Sequence, residues 1–310
     1  MQTMTTLEKV CSQAFSLSKD CHDATVPVWG ISFDNINQVK IDGQPHPLRI
    51  VAQRQICNRL GIPHPYLVKC PEDLQAMNLN HWISQERNEE LFFRFDGDQV
   101  RAIFTKRYQP VDNMQVLERL SSLGFGPDTQ VQAALDSEFM SLSIPDAKKT
   151  FRVDGDKMTP GISIANSEVG LSSLSIACFV LRLVCTNGMI SKTEVTASYR
   201  HTSLKVMEEF PAVLQNVGAE IELQRAKFRL SLESPVANPE STIESFNRQF
   251  QLREQETTAV EWAWPQEMAS PATMFNVVNT YTKASQYPNL PAESSHRLQR
   301  TGGAILSMVG

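Results

Sequence analysis

The sequence lacks the usual enzyme signatures: it has no Walker A loop, no GxGxxG, no GxSxG and no HExxH. No two of its cysteines (Cys11, Cys21, Cys57, Cys70, Cys178 and Cys185) stand at CxxC spacing, which removes the common zinc and redox motifs. Cys21-His22 has no partners at ligand spacing, so neither a metal nor a cofactor is expected. No run approaches the roughly eighteen apolar residues of a membrane-spanning helix. The opening MQTMTTLEKVCSQAF has no basic segment followed by an apolar one, so no secretory signal and a cytoplasmic location with reduced thiols are expected. A positive charge excess is missing as well. With 29 Lys+Arg against 34 Asp+Glu the formal net charge is −5, which excludes a chain that coats nucleic acid with its whole surface.

What is present is a globular chain of 310 residues, 41% hydrophobic and 20% charged. Alternating, β-rich stretches occur at 26–33 and 38–41. A helical apolar spacing at 48–62 is closed by Gly61 and Pro63, and a second helix begins at Pro71-Glu-Asp. LFFRF (91–95), Asp96-Gly97-Asp98 and QVRAIFT (99–105) form a strong β-hairpin pattern, because Asp-Gly supplies the positive φ that a tight turn needs. A short helix at 114–123, a hairpin at 129–144 and a further strand pair around Asp154-Gly155 follow. The apolar run at 171–190 has the length of a buried helix, and 194–201 alternates as a strand. Beyond 203 the pattern is helical: 204–232, 242–254, 272–285 and 291–307. The expected fold is α+β, with antiparallel hairpins packed with helices and an all-helical C-terminal region. The expected divisions are a lead-in (1–25), an α+β core (26–232) and the helical region (233–310).

Three stretches place polar groups where strands or a buried element should end. In the first, Arg94 and Arg101 share one face of the hairpin, and Lys106-Arg107-Tyr108 closes it with cations and an aromatic ring. Cations for phosphates and a ring for base stacking are what a sequence-tolerant single-strand site requires, although a solvated strand end with Tyr108 in the core has the same composition. The second stretch is Asn166-Ser167-Glu168-Val-Gly170. It reads either as a helix cap or as a set of orienting groups around a catalytic carboxylate, with Asn113 as a further orienting candidate. The third is Arg182-Leu-Val-Cys-Thr-Asn187-Gly188 with Tyr199-Arg200-His201-Thr202 and Lys205. A buried Arg182 would need Glu168 or a phosphate as partner, and Cys185 with His201 is a possible nucleophile and base. Residues 182–205 carry four Lys/Arg and one acid, whereas 208–267 carry eleven acids and five bases. The negative charge therefore belongs to the tail, which leaves room for a basic groove elsewhere.

On the blocks NLNHWISQ (78–85), LFFRFDGDQVRAIFTKRYQPVDN (91–113), GISIANSEVGLSSLSIACFVLRLVCTNGMI (161–190), YRHT (199–202) and FNVVNTYTKASQ (275–286), the chain resembles the phage/plasmid-like family of domain of unknown function nine-three-two. The likeness runs from about residue 45 onward, with Tyr281-Thr-Lys283 standing where the family pattern suggests a Thr-Arg pair. Family members occur on prophages and conjugative plasmids, so the resemblance implies DNA processing. The outline of a sheet followed by helices is similar to phage single-strand annealing proteins.

The reading that results is a single-stranded-DNA-binding protein of a mobile element that promotes annealing and recombination. Its contacts would be Arg94, Arg101, Lys106, Arg107, Tyr108, Arg182, Asn187, Tyr199, Arg200, His201 and Lys205. Annealing implies a homo-oligomer, either ring or filament, and host or element-encoded recombination or replication partners, with no membrane. The alternatives are an enzyme on a phosphate-containing substrate, using Glu168 and His201 as acid and base, and an antirestriction-type protein-binding factor.

Overall fold

A computed structural model of the chain describes residues 3–153, 156–183, 189–199 and 225–309, without the side chains of Thr3, Val153, Asp156, Cys178, 181–183 and 189–199. Its fold is α+β, with antiparallel sheets in the N-terminal and central parts and helices concentrated towards the C-terminus. The chain divides into two compact units, Met1–Gln13 with Val111–Ser167 and Leu171–Gly310, and Ala14–Pro110 with Glu168–Gly170. These boundaries differ from the expected divisions at 25 and 232. Strands distant in sequence build one sheet with the C-terminal helices, so a sequential cut cannot separate them.

In the smaller unit, β2 (Cys21–Pro27) pairs with β6 (Glu90–Asp96), and β6 pairs with β7 (Gln99–Thr105). The expected hairpin forms with Gly97 at φ +54°, so the Asp-Gly turn supplies the backbone geometry the sequence called for. A second sheet joins β3 (Ile31–Asn35), β4 (Gln38–Ile41) and β5 (Gln44–Pro47). Helix α2 (Ile50–Leu60) ends at Gly61, a left-handed C-cap at φ +70°, as the Gly61-Ile-Pro63 pattern predicts. Helix α4 (Glu72–Ile83) turns Asn80 onto the edge strand β3. The Asn80 amide accepts from Phe33 N and donates to Phe33 O, both at 2.8 Å. One side chain thus supplies the pair of bonds a further strand would make, which closes that edge locally. Phe33, Ile56, Leu79, Phe93 and Val100 lie in a common core.

In the larger unit a seven-stranded antiparallel sheet has the order β1-β8-β9-β11-β12-β13, with β10 (Phe151–Val153) on β11. These are Thr3–Thr6, Gln130–Leu135, Met140–Pro145, Asp156–Asn166, Leu174–Leu183 and Met189–Tyr199. The expected helix over 171–190 is therefore a strand, β12, followed by the start of β13. Strand β12 pairs on both sides, and its neighbours Phe179 and Val180 are both buried. A strand covered on both faces carries an unbroken apolar run that a length criterion mistakes for a helix.

The helices of this unit are α5 (Asn113–Ser122), α6 (225–233), α7 (Pro239–Gln249), α8 (Glu254–Glu267), α9 (Met274–Ala284) and α10 (Ala292–Met308). Helix α10 lies against α9, β9 and β13. On the sheet, Ser143 faces Ser163 across β9 and β11, and Ala134, Phe139 and Ala165 meet Ala292 of α10. Small side chains there let a helix approach the sheet closely. Among the described residues no helix is long and apolar enough to cross a membrane.

Candidate nucleic-acid interface

Arg94 stands opposite Ala102, and a β-bulge in the β6–β7 pairing lets Arg101 join it at Glu168, so neither arginine is on the surface. Arg94 Nε and Nη2 donate to the Asp23 carboxylate at 2.9 and 3.2 Å, and Nη1 donates to Glu168 O at 3.0 Å. Arg101 Nη1 donates to Glu168 Oε2 at 2.7 Å. Both arginines are about as buried as the core around them, at 2% and 3% exposure, and Glu168 is 7% exposed. The expectation that these arginines contact phosphate is corrected: a buried guanidinium demands a carboxylate, and Asp23 and Glu168 supply it. Glu168 is held by this ion pair and largely screened from solvent.

The Asn-Ser-Glu-x-Gly motif is a turn rather than a helix start. Ser167 Oγ accepts from Leu171 N at 3.0 Å and donates to Glu138 O at 2.7 Å. Asn166 Nδ2 donates to Val111 O and to Asn113 Oδ1, both at 2.9 Å, tying the end of β11 to the start of α5. Gly170 has φ +81°, and a Cβ there would stand 2.7 Å from the Phe104 ring. The glycine thus allows both the left-handed turn and the close approach of Phe104. Gln55 completes the arrangement by donating to Val169 O and accepting from Ile103 N, each at 2.8 Å.

At the end of β7 the remaining predicted residues are accessible. Lys106 and Arg107 are exposed, and Lys106 reaches Glu90 at 3.2 Å in a solvated pair of small energetic value. Tyr108 stacks flat on Phe104, with centroids 3.8 Å apart and planes 3° from parallel, and it meets Phe92 at 5.8 Å. All three rings are half-buried. The Tyr108 hydroxyl lies 3.4 Å from Glu168 O, so the ring is both anchored and partly open. Phe104 also lines a cavity of about 450 Å³ together with Gln55, Asn58 and Arg59. Arg59, which the sequence reading missed, is paired with Glu86 at 3.8 Å. Its position in the last turn of α2, beside the exposed Asn58, was the available signal.

Asn187, Arg200, His201 and Lys205 lie outside the described residues, as does Cys185. Arg182 and Tyr199 have their backbones in β12 and β13, where Arg182 is opposite Met158 and Met189 and Tyr199 is opposite Leu174. Their side chains lie outside the described ones. Burial pushes the Cys57 thiol up to about 11, which makes it an inert core group. Among the described residues no cluster of three His, Cys, Asp or Glu side chains could hold a metal.

A second polar concavity was not legible in the sequence. A cavity of about 780 Å³ lies along α10 in the larger unit. Its walls include Arg253, Arg297 and Arg300, with Phe139, Phe250 and His296. Arg253 is held by Glu293 at 2.5 and 3.3 Å, and Arg297 by the fully buried Glu256 at 3.1 Å and by Gln251 O at 3.1 Å. Arg300 reaches solvent, yet the protein around it lowers its pKa through desolvation.

The family model for the domain of unknown function DUF932 matches residues 101–299. That span is well over half of the chain, which therefore belongs to this family. The matched region begins within β7, so it contains Arg101, Tyr108, the Asn-Ser-Glu-x-Gly turn and part of the α10 cavity wall, and it leaves 78–85, 91–100 and the cavity residues from Arg300 onward outside. No curated protein and no solved structure matches the chain.

Proposed function

We propose that this chain binds single-stranded DNA in the cytoplasm and, as a homo-oligomer, promotes annealing of complementary strands during recombination of a mobile element. The observation that carries this reading is the partly open Phe92–Tyr108–Phe104 group, with exposed Lys106 and Arg107 beside it and Arg59 on the cavity that Phe104 lines. Bases of any identity stack on aromatic faces, and flanking cations meet the backbone phosphates. That combination gives strand binding without sequence preference. Annealing also needs no bond-making group, in keeping with a Glu168 that is committed to Arg101. Other recombination or replication proteins of the host or the element would be partners of the DNA-bound oligomer.

Fluorescence anisotropy with a labelled oligothymidylate tests the reading. Tyr108→Ala is expected to weaken binding about 5- to 150-fold, the equivalent of the roughly 1–3 kcal/mol carried by one stacked base. Tyr108→Phe is expected to retain binding, and Arg107→Ala to reduce the salt slope by about 0.7. Wild-type affinity in a folded Tyr108→Ala protein would contradict the assignment of this ring.

A further inference from the structure

We propose that the cavity beside Phe104 takes one base of the bound strand and selects guanine. The inference rests on the strand-binding reading and adds a preference at one position of a strand otherwise held without regard to sequence. Every residue it uses lies in the smaller unit.

The signal is an arginine whose donors the protein leaves unused. The Arg59 guanidinium carries five N–H groups, yet it donates no hydrogen bond to any described residue, and its Nε is buried. Glu86 Oε2 stands 3.8 Å from Arg59 Nη1, beyond hydrogen-bond range. Both side chains are largely covered, at 20% and 9% exposure, where an unmade hydrogen bond is costly. Glu86 is fixed from one side only. Its Oε1 accepts from Asn88 N and Nδ2 at 3.0 and 2.8 Å, whereas Oε2 accepts no hydrogen bond from a described residue. Burial opposes ionisation of this carboxyl, but the Asn88 hydrogen bonds and Arg59 hold it below the usual carboxylate range, so Oε2 stays an anionic acceptor.

A guanidinium fork beside a carboxylate oxygen matches one base edge best. Along guanine, N7 and O6 accept in a row and N1–H donates next to them. Arg59 meets N7 and O6 together, and Glu86 Oε2 takes N1–H. Adenine presents acceptor, donor and acceptor in the same places, which leaves half of the fork without a partner, and pyrimidines have no N7. The pair is neutral as a whole, so it reads a base by its edge and selects nothing by charge. Ile103 and Phe104 supply the apolar wall for the ring, and the volume of about 450 Å³ lies in the range of small-molecule sites. Phe104 also carries Tyr108 on its face at 3.8 Å, which puts the cavity next to the stacking site.

Fluorescence anisotropy of the full chain with labelled oligothymidylates tests the site without altering the protein. One central thymine is replaced in turn by guanine, hypoxanthine, 7-deazaguanine or adenine. Guanine is expected to tighten binding about fivefold or more relative to thymine, the lower end of what a bidentate base contact discriminates. Hypoxanthine keeps N7, O6 and N1–H and is expected to match guanine. 7-Deazaguanine lacks N7 and adenine has the wrong edge, so both should lose that gain. On the guanine strand Arg59 turns from phosphate to base, and the salt slope should be shallower by about 0.7 than on pure oligothymidylate. Arg59→Lys, which keeps the charge but loses the fork, is expected to remove the guanine preference. Equal affinity for the guanine and thymine strands, or a preference that 7-deazaguanine or Arg59→Lys retains, would overturn the inference and leave strand binding standing. No binding of any strand would overturn both.

Discussion

Glu168→Ala is expected to lower the unfolding free energy by about 3–5 kcal/mol, the cost of leaving a buried charge without its partner. The charge is Arg101, 3% exposed and bound to Glu168 Oε2 at 2.7 Å. The loss is asymmetric. Removing the carboxylate strands the guanidinium, whereas replacing both groups together removes the demand as well as the supply. Arg101→Met with Glu168→Leu is therefore expected to recover most of the stability lost in the single variant. Urea denaturation of the two singles and the double variant measures this as a coupling energy. Additive losses would mean that the pair is not a unit. The same cycle bears on function: a Glu168 variant that loses DNA binding does so through the fold around Phe104 and Tyr108, and the double variant should restore it.

The second large effect is expected at Gly161. A Cβ there would stand 2.2 Å from Ile144 O on β9 and 2.8 Å from two atoms of the Phe179 ring on β12. Neither neighbour can yield without moving a central strand of the sheet. Gly161→Ala is expected to cost at least the roughly 1–3 kcal/mol typical of overpacking, since backbone obstructs the new methyl. Gly126→Ala is the control. It meets nothing within 4 Å and has no positive φ, so its effect should stay within about 0.5 kcal/mol. Similar midpoints for the two variants in thermal denaturation would contradict the close approach at Gly161.

Local chemistry explains which parts of the fold were legible. The β6–β7 hairpin and the end of α2 were readable because Asp-Gly at 96–97 and Gly61 each fix a backbone angle within a few residues. The α5 start was readable for a similar reason: Asp112 N donates to Gln115 Oε1 across one turn. Strand β12 was not, because burial on two sides erases the alternation that distinguishes a strand. Helix α8 was hidden by its polar first turn, whose Glu256 caps Arg253 N at 2.8 Å and is itself buried.

The site shows the same division. Alternation alone would turn Arg101 away from Arg94, which is paired with Ala102; the β-bulge that lets both reach Glu168, far along the chain, was not legible in the sequence. Along α10 the misleading signal was charge. Arg253 belongs to an acidic segment, and one of the acids counted against a basic site, Glu256, is the group that fixes Arg297.

A salt titration of single-strand binding by the wild-type chain tests the central claim most directly. With several Lys and Arg contacts to phosphate, log affinity should fall linearly with log salt concentration, by about 0.7 per phosphate neutralised on a single strand. The account predicts a slope of about −2 from Lys106, Arg107 and Arg59, and tighter binding to single strands than to duplex of equal length. No binding at low salt up to tens of micromolar, or equal affinity for duplex with no salt dependence, would contradict it.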